Sequence, residues 1–324
     1  MKRFVGLILF FIAVTTHAQI EGAVTGNHWV GTWATAQQPV VRSFMPYNNN
    51  MSGRSVRQIV KVSIGGKQLR LELSNELSRE PLVIRSVYIA HATDSCAIEP
   101  SSAKYLKFNG NYNTVIPAGK SRFSDALTFD LQPLERLAIT INYDKAPRIP
   151  TVHMGSRTTS YILRGVSTPK TSFDKAFRED HWFNISAIDV FDLTAKSIAI
   201  IGNSITDGKN STNNAQNRWP DILSESLQKK HGVTDVGILN LGIGNNRVTL
   251  TGGFGFMARK RFDHDILLQR GVRTVVIFEG VNDIGATPNN KVEVVTNDLI
   301  QSYEEMIRKA KERNLRVFLG TISP

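Results

Sequence analysis

Apolar and polar residues alternate one by one along much of residues 54–165, which is the spacing of a strand with one buried face. Leu69, Leu71 and Leu73, for example, alternate with the charged residues Arg70 and Glu72. No segment of this region has a clear period of 3.6 residues, so we do not expect helices there. The pattern predicts an all-β sandwich or jelly roll, which we assign to residues 19–191.

Several segments of this front half are candidate strands. They are Leu82–Ile89, Tyr105–Phe108, Leu127–Leu131, Leu137–Tyr143 and Tyr161–Leu163. Two further segments, 60–64 and 67–69, are separated by Gly65 and Gly66, a pair that tolerates the positive φ of a tight two-residue turn. We therefore expect residues 60–69 to form a hairpin.

The spacing of apolar residues changes after about Asp192. Four short apolar runs predict buried strands: Ile198–Ile201, Val236–Leu241, Thr274–Phe278 and Val317–Leu319. Between them, apolar residues recur at helical spacing from Trp219 to Leu227, with Gly232 just beyond, and again from Val292 to Ala310. Strands that alternate with helices predict a parallel sheet covered on both sides, which is a three-layer α/β domain, here residues 192–324.

Polar residues follow three of these strands. Ser204, Asn245 and Asn282 each lie a few residues beyond a predicted strand end. Each of them alone is more typical of a turn. However, the carboxyl ends of parallel strands meet at one edge of the sheet, where ligands bind, so together they favour a site.

A serine at such an edge is a candidate nucleophile. Its hydroxyl reacts only if a base takes its proton and if donors stabilise the oxyanion that forms. The backbone N–H of Ser204, the loop after Leu241 and the side-chain amide of Asn282 could supply three such donors. The sequence therefore favours serine-based hydrolysis.

The first residues have the pattern of an export signal. Lys2 and Arg3 precede the apolar run Phe4–Val14, and Thr16-His17-Ala18 places small residues where a signal peptidase cuts. The pattern predicts a signal peptide over residues 1–18. It is too short for a stable membrane span, so we expect a secreted or periplasmic protein.

Charge and cysteine content exclude several classes of partner. The net charge of +11 falls to +9 without Lys2 and Arg3, and the basic residues are scattered, without interleaved aromatics. A solvated basic surface is therefore expected, and no nucleic-acid partner. Cys96 is alone, which excludes an intrachain disulfide and cysteine-based zinc sites. We expect no metal and no cofactor.

Three short blocks of the sequence resemble the conserved blocks of a known family. They are residues 202–208 (Gly-Asn-Ser-Ile-Thr-Asp-Gly), 240–247 (Asn-Leu-Gly-Ile-Gly-Asn-Asn-Arg) and 280–283 (Gly-Val-Asn-Asp). Their order and spacing resemble those of the SGNH (GDSL-type) hydrolases, a family of serine esterases and acylhydrolases with a flavodoxin-like fold. Residues 217–221 (Asn-Arg-Trp-Pro-Asp) and the strand-rich front half further resemble a secreted branch that includes esterases found beside xylan-degrading enzymes.

The resemblance implies a role for each matched position. Ser204 would be the nucleophile, and its N–H would also bind the oxyanion. Asn282 would be the side-chain oxyanion donor, and Asn245, next to Gly244, would provide a backbone N–H. Asn tolerates the left-handed geometry that this position needs.

Three further positions of the matched blocks have supporting or altered roles. Asp207 would anchor the loop rather than react, and Gly280 would support Asn282. Asn203 replaces the aspartate that the family usually has before the serine, which weakens a supporting hydrogen bond rather than the chemistry.

The histidines depart from the family pattern. The resembling family takes its base from a late Asp-x-x-His motif, and none of the seven histidines has an aspartate three positions earlier. His28, His91, His153 and His181 precede the α/β domain, and His231 is expected at the opposite edge of the sheet.

His264, between two aspartates, resembles an acid–base cluster but is expected on a helix face. We therefore expect a truncated member without its catalytic histidine and aspartate. Such a chain would be nearly inactive and prone to aggregate, because the fourth strand or its neighbour would have an unpaired edge.

The substrate implied by the resemblance is a small acyl ester, with acetyl groups on a polysaccharide such as xylan as the first expectation. A lysophospholipase or arylesterase activity is one alternative. A non-catalytic, carbohydrate-binding protein is another, although Trp29, Trp33 and Trp182 are too scattered to indicate an aromatic platform. A nucleotide-binding fold is disfavoured, because Gly242-x-Gly244 lacks the third glycine and a phosphate-loop lysine.

Overall fold

The computed structural model of the chain describes residues 28–321, apart from the side chains of residues 48 and 49. The predicted signal peptide over residues 1–18 lies outside the described residues. Along the part of the chain that is described, no helix has the length and apolar character needed to cross a membrane.

The front half of the chain, residues 28–191, is built from antiparallel strands. In chain order they are β1 (Trp29–Ala34), β2 (Gln38–Pro39), β3 (Arg54–Lys61), β4 (Gly66–Ser74), β5 (Leu82–His91), β6 (Lys104–Tyr105), β7 (Thr114–Ile116), β8 (Ser121–Phe123), β9 (Leu127–Leu131), β10 (Arg136–Lys145), β11 (Thr151–His153), β12 (Ser160–Arg164), β13 (Phe177–Glu179), β14 (Trp182–Phe183) and β15 (Ile185–Phe191). One sheet has the order β1-β15-β4-β8, with β9 also paired to β4. A larger sheet has the order β13-β12-β3-β10-β5-β6, with β7 also paired to β5, and β14-β11-β2 form a small third sheet.

An apolar core joins the two larger sheets. Leu69, Leu71 and Leu73 of β4 are fully buried in the same cluster as Ile139 and Ile141 of β10. These are alternate residues of their strands, and such residues share one face of a sheet. The strand-rich front half predicted from the alternation is therefore confirmed.

The segment between β3 and β4 connects two sheets and does not close a hairpin. β3 pairs with β10 and β12, whereas β4 pairs with β15, β8 and β9, so the predicted hairpin over residues 60–69 is wrong. Gly65 and Gly66 are not among the positive-φ glycines. Gly65 instead provides space, because a Cβ atom there would lie 2.4 Å from the carbonyl oxygen of Leu131.

One predicted strand is shorter than expected. Strand β6 covers Lys104–Tyr105 and pairs with β5, whereas Phe108 forms an isolated bridge with Asn111. The side chain of Phe108 is nevertheless buried in the core of the front half. The apolar residues of segment 105–108 thus indicated burial correctly but not strand length.

The rear half, residues 192–321, contains a parallel sheet. Its strands are β16 (Lys196–Gly202), β17 (Val236–Gly242), β18 (Val272–Phe278) and β19 (Arg316–Leu319), in the order β17-β16-β18-β19. Its helices are α1 (Ser204–Asp207), α2 (Trp219–His231), α3 (Ala258–Phe262), α4 (Val281–Gly285) and α5 (Val292–Glu312), and a π-helical turn covers Asp263–Leu267. Each predicted strand and both predicted helices of this half are present within a few residues of their expected bounds.

The two faces of the parallel sheet pack against different helices. Ile200 and Ile238 lie in a cluster with α2, and Ile201 and Leu241 lie in a cluster with α3 and α5. Strand β19 pairs with β18 and is the outermost strand in the order above, and its Phe318 is 52% exposed. An apolar side chain at an outer strand is thus left open to solvent among the described residues.

The two halves pack closely along β1 and β17. The N–H of Gly31 donates to the carbonyl oxygen of Arg270 at 3.0 Å, and the hydroxyl of Ser197 donates to the carbonyl oxygen of Gly31 at 2.8 Å. A Cβ atom at Gly237 would lie 2.2 Å from the oxygen of Gly31, so glycine is needed for this approach. The front half is therefore in direct contact with the parallel sheet of the rear half.

Candidate active site

Ser204 is the first residue of a four-residue helix that begins where β16 ends. The side chain of Asn203 caps this helix α1 by accepting from the N–H of Ile205 at 3.0 Å. Gly208, at φ 107°, ends it, and its N–H donates to the carbonyl oxygen of Ser204 at 3.0 Å. Ser204 is partly exposed and Ile205 is exposed. The hydroxyl is thus placed on a tight turn at the carboxyl edge of the sheet.

The second loop follows β17 and brings Asn245 to the same edge. Asn245 has φ 52°, the left-handed conformation that asparagine tolerates better than most residues. Gly202 pairs with Gly242 in the sheet, and a Cβ atom at Gly242 would lie 2.4 Å from the N–H nitrogen of Asp207. This loop therefore packs directly against the Ser204 turn.

The third loop places Asn282 beside the second. Gly280 precedes it at φ 111°, and the Asn282 amide Nδ2 donates to the carbonyl oxygen of Asn246 at 2.9 Å. The next residue, Asp283, is fully buried and accepts from the backbone N–H groups of Val248, Thr249 and Leu250. The three loops therefore lie at the same edge of the sheet, and a hydrogen bond joins Asn282 to the loop that contains Asn245.

A buried arginine, Arg261, connects the first two of these loops. It was not identified from the sequence. Arg261 donates to the carbonyl oxygens of Gly202 at 3.1 Å and Leu241 at 2.8 Å, which are at the ends of two strands. It also donates to the side-chain oxygen of Asn246 at 3.0 Å and pairs with Asp265 at 2.8 Å. The i,i+4 spacing of Arg261 and Asp265 was a visible signal, but such pairs usually lie on solvated helix faces.

Glu279 is a second buried charged group at this edge. Burial raises its pKa to about 8, and the nearby Arg261 guanidinium, 3.7 Å away, opposes that shift. One carboxyl oxygen accepts from the N–H of Gly280 at 3.2 Å. Burial therefore favours the protonated form of Glu279, which supports the start of the third loop.

His153 reaches the Ser204 turn from the front half. Its Nε2 atom lies 2.9 Å from Oδ1 of Asp207, and its Nδ1 atom lies 2.8 Å from the carbonyl oxygen of Ala36. His153 precedes the α/β domain in sequence, which excluded it as a candidate, but the fold brings its ring to the Ser204 turn. The contact links Asp207, which we expect to anchor a loop, to the front half.

His264 is held by two carboxylates at the boundary between the halves. It lies in the π-helical turn, with Nδ1 2.7 Å from Asp265 and Nε2 3.1 Å from Glu76 of the front half. The hydrogen bonds to Asp265 and then Glu76 raise its pKa to about 10. As an imidazolium with both nitrogens donating, it has no lone pair to accept a proton at neutral pH.

No histidine among residues 28–321 makes a hydrogen bond to Ser204. Over the same range, no group of three or more His, Cys, Asp or Glu side chains is arranged to hold a metal ion. Trp33 and Trp182 are buried with ring centroids 5.1 Å apart, so they form part of the core and not an exposed platform.

Residues 217–221, which carried part of the resemblance, connect α2 to the front half. Arg218 pairs with Asp221 at 2.7 Å and lies over the Trp182 ring at 5.3 Å from its centroid. The indole N–H of Trp219 donates to the hydroxyl of Thr206 at 3.4 Å. This stretch therefore braces the Ser204 helix and does not itself present reacting groups.

The sequence matches the GDSL-like lipase/acylhydrolase family over residues 200–324, which include all three loops. Residues 200–324 are a GDSL-like lipase/acylhydrolase domain. The front half lies outside this match. No curated protein matches the chain.

Solved structures similar to this chain include several esterases. The acetyl xylan esterase AlAXEase is 22% identical over 38% of this chain and 56% of its own, with a TM-score of 0.31. AlinE4, an SGNH-hydrolase family esterase, is 18% identical over 41% of this chain and 62% of its own, with a TM-score of 0.32. A family two carbohydrate esterase from Cellvibrio japonicus is 10% identical over 92% of this chain and 78% of its own, with a TM-score of 0.29.

The chain thus spans less than two thirds of the length of AlAXEase and AlinE4. The assignment of the GDSL-like domain rests on the sequence match over residues 200–324.

Proposed function

We propose that the GDSL-like domain hydrolyses carboxylic esters with Ser204 as the nucleophile. The Ser204 hydroxyl attacks the acyl carbonyl, and the ester alcohol leaves as the acyl group is transferred to the serine oxygen. Water then releases the acid and frees Ser204. In the resembling family a histidine takes the serine proton, and we assign that step to no residue of this chain.

The oxyanion formed in each step would be bound by three donors. They are the backbone N–H groups of Ser204 and Asn245 and the side-chain amide of Asn282. The observation that carries this proposal is the hydrogen bond from Asn282 to the carbonyl oxygen of Asn246 at 2.9 Å. It uses one of the two amide hydrogens of Asn282 and fixes the amide plane, which leaves the second hydrogen for a ligand. Donors fixed before the reaction stabilise developing charge most effectively.

The substrate that we propose is a small acyl ester, with acetyl groups on a plant polysaccharide as the first choice, met outside the cytoplasm. Its support is the resemblance of residues 217–221 to a secreted esterase branch and the export pattern of residues 1–18. We further propose that the sheet and helices of the rear half belong to a three-layer α/β domain. Packing of α2 on one face and α5 on the other supports this.

The test compares two serines seven positions apart in the full-length gene product, Ser204 and Ser211. Ser204→Ala should reduce hydrolysis of p-nitrophenyl acetate to the buffer rate. Ser211→Ala also removes a hydroxyl, one that donates to the carbonyl oxygen of Gly208 at 2.7 Å, and should leave turnover nearly unchanged. Wild-type turnover by Ser204→Ala would overturn the assignment.

The acyl preference is tested separately. Acetate release from acetylated xylan is compared with fatty-acid release from phospholipid, using the same enzyme concentration. We expect acetate release to dominate. Preference for long acyl chains would instead support a lysophospholipase-type activity.

A further inference from the structure

We propose that His153 of the front half is a positioning residue for the Ser204 turn, and that it acts through Asp207. This inference rests on the proposed function, because it assigns to His153 the support of the proposed nucleophile. Under this proposal the front half contributes a residue that supports the active site.

The His153 ring is fixed at both nitrogens. Both His153 and Asp207 have side chains that are 2% exposed, so water does not compete for their contact. A carbonyl oxygen can only accept, so Nδ1 must donate to Ala36. A proton must then also lie between Nε2 and Oδ1 of Asp207, 2.9 Å apart. The ring packs on Trp182, with 5.7 Å between ring centroids, which further restricts its rotation.

The Asp207 carboxylate depends on this contact. Its second oxygen, Oδ2, is buried without a hydrogen-bond partner among the described residues. A Cβ atom at Gly155 would lie 2.0 Å from Oδ2, and one at Gly244 would lie 3.4 Å from it. The carboxylate is thus confined between a front-half loop and the loop that presents Asn245. His153 is the hydrogen-bond partner of this carboxylate among the described residues, and a buried carboxylate without a partner is costly, so its loss would move the turn toward water.

Movement of Asp207 is passed directly to Ser204. The two residues are the ends of the four-residue helix α1. The Asp207 N–H donates to the carbonyl oxygen of Asn203 at 2.9 Å, and the N–H groups of Gly208 and Lys209 donate to that of Ser204. A helix this short has no interior to absorb a shift at one end, so Asp207 fixes the position of the nucleophile.

Two substitutions separate the two hydrogen bonds of His153. An asparagine amide can replace Nδ1 but cannot reach Asp207, whereas a glutamine amide can replace Nε2. His153→Asn therefore keeps the hydrogen bond to Ala36 and loses the one to Asp207. His153→Gln keeps the hydrogen bond to Asp207 and loses the one to Ala36. Both remove the ring, so loss of packing on Trp182 is common to the pair.

The first measurement is hydrogen–deuterium exchange of the peptide that contains residues 203–209, referred to the amides of β10 in the same sample. This readout does not require activity. His153→Asn should speed exchange at Asp207, Gly208 and Lys209 by at least about tenfold relative to β10, and His153→Gln by less than about threefold. Equal exchange of this peptide in the two variants would overturn the proposal.

The second measurement is turnover of p-nitrophenyl acetate by the full-length gene product. His153→Asn should lower kcat by about tenfold to a hundredfold with KM little changed, whereas His153→Gln should stay near wild type. A purely structural role would lower the kcat of both variants in proportion to their loss of thermal stability, and that outcome would contradict the proposal. If Ser204→Ala is active but the exchange difference persists, the proposed nucleophile is wrong and the support of the turn by His153 stands.

Discussion

Both halves of the chain bury an arginine, and the two arginines have different surroundings. Arg57, 2% exposed in the front half, donates to the hydroxyls of Thr140 and Tyr88 and to the carbonyl oxygen of Cys96. Arg261, 4% exposed in the rear half, donates to strand-end carbonyl oxygens and pairs with a carboxylate. The first is enclosed within one sheet region, and the second lies beneath three loops that converge.

The difference follows from how the strands are connected. Antiparallel strands place their loops at both ends of a sheet, so polar loop residues of the front half are dispersed. Parallel strands place every strand-to-helix loop at one edge, so the residues that follow β16, β17 and β18 meet there. A buried polar group stabilises the fold in either half. One that bonds to the strand ends at this edge, as Arg261 does, can also position the groups that lie there.

The largest expected effect is that of replacing each of the two buried arginines by methionine. Arg261→Met leaves Asp265 without its buried cation and should lower the free energy of unfolding by about 3–5 kcal/mol. Arg57→Met leaves only neutral partners and should lower it by about 1–3 kcal/mol. Urea unfolding measures both. In the full-length gene product, kcat of the folded fraction should fall for Arg261→Met and not for Arg57→Met; an equal fall in both would remove the distinction.

The next largest effect is expected for two asparagines, one in each half of the chain. Asn282→Ala should lower kcat for p-nitrophenyl acetate by about 10²–10³, because it removes the side chain that we propose as an oxyanion donor. Asn142, buried in the front half, bonds to the hydroxyls of Ser55, Ser86 and Ser167. Asn142→Ala should reduce stability and leave kcat unchanged. A change in KM alone for Asn282→Ala would assign that residue to substrate binding.

Glu279 makes the stability of the rear half depend on pH. Its pKa is raised by burial from 4.5 to about 8, so the stability that its protonated form contributes is complete below about pH 4.5 and is lost as pH rises through about 8. Glu279→Gln keeps a neutral group of the same shape and cannot titrate. The variant should therefore become more stable than wild type across this window, as followed by urea midpoints. Parallel pH profiles would show that Glu279 is ionised in the folded protein.

The smallest effect is expected at His264. Its side chain is 47% exposed, so solvent screens its pairs with Asp265 and Glu76, and His264→Gln should cost about 0.2–1 kcal/mol. The pKa of His264 is raised to about 10, so this contribution is present below its usual pKa of 6.5 and disappears as pH rises through about 10. The side chain of His153 is only 2% exposed, so equal losses of stability for His264→Gln and His153→Asn would mean that burial does not separate the two histidines.

The fold could be predicted where it depends on local spacing. A period of two residues located β4, β9 and β10, and the change to alternating strands and helices located β16 to β18 and α5. The partners of the strands could not be predicted in the same way. Gly65 and Gly66 satisfy the local requirement for a hairpin, yet β3 and β4 belong to different sheets, because their apolar faces are buried against a common core.

The order of residues along the chain identifies Ser204, Asn245 and Asn282 as candidate site residues, because each follows a strand end and a parallel sheet has one carboxyl edge. The contacts that hold them there are visible only in the folded chain. Arg261 and Asp283 tie the loops together, and His153 reaches Asp207 from 54 residues earlier in the chain. Such contacts have no periodic signal in sequence, because each is one buried polar group whose partner is selected by the packing of distant segments, and burial without that partner would be unfavourable.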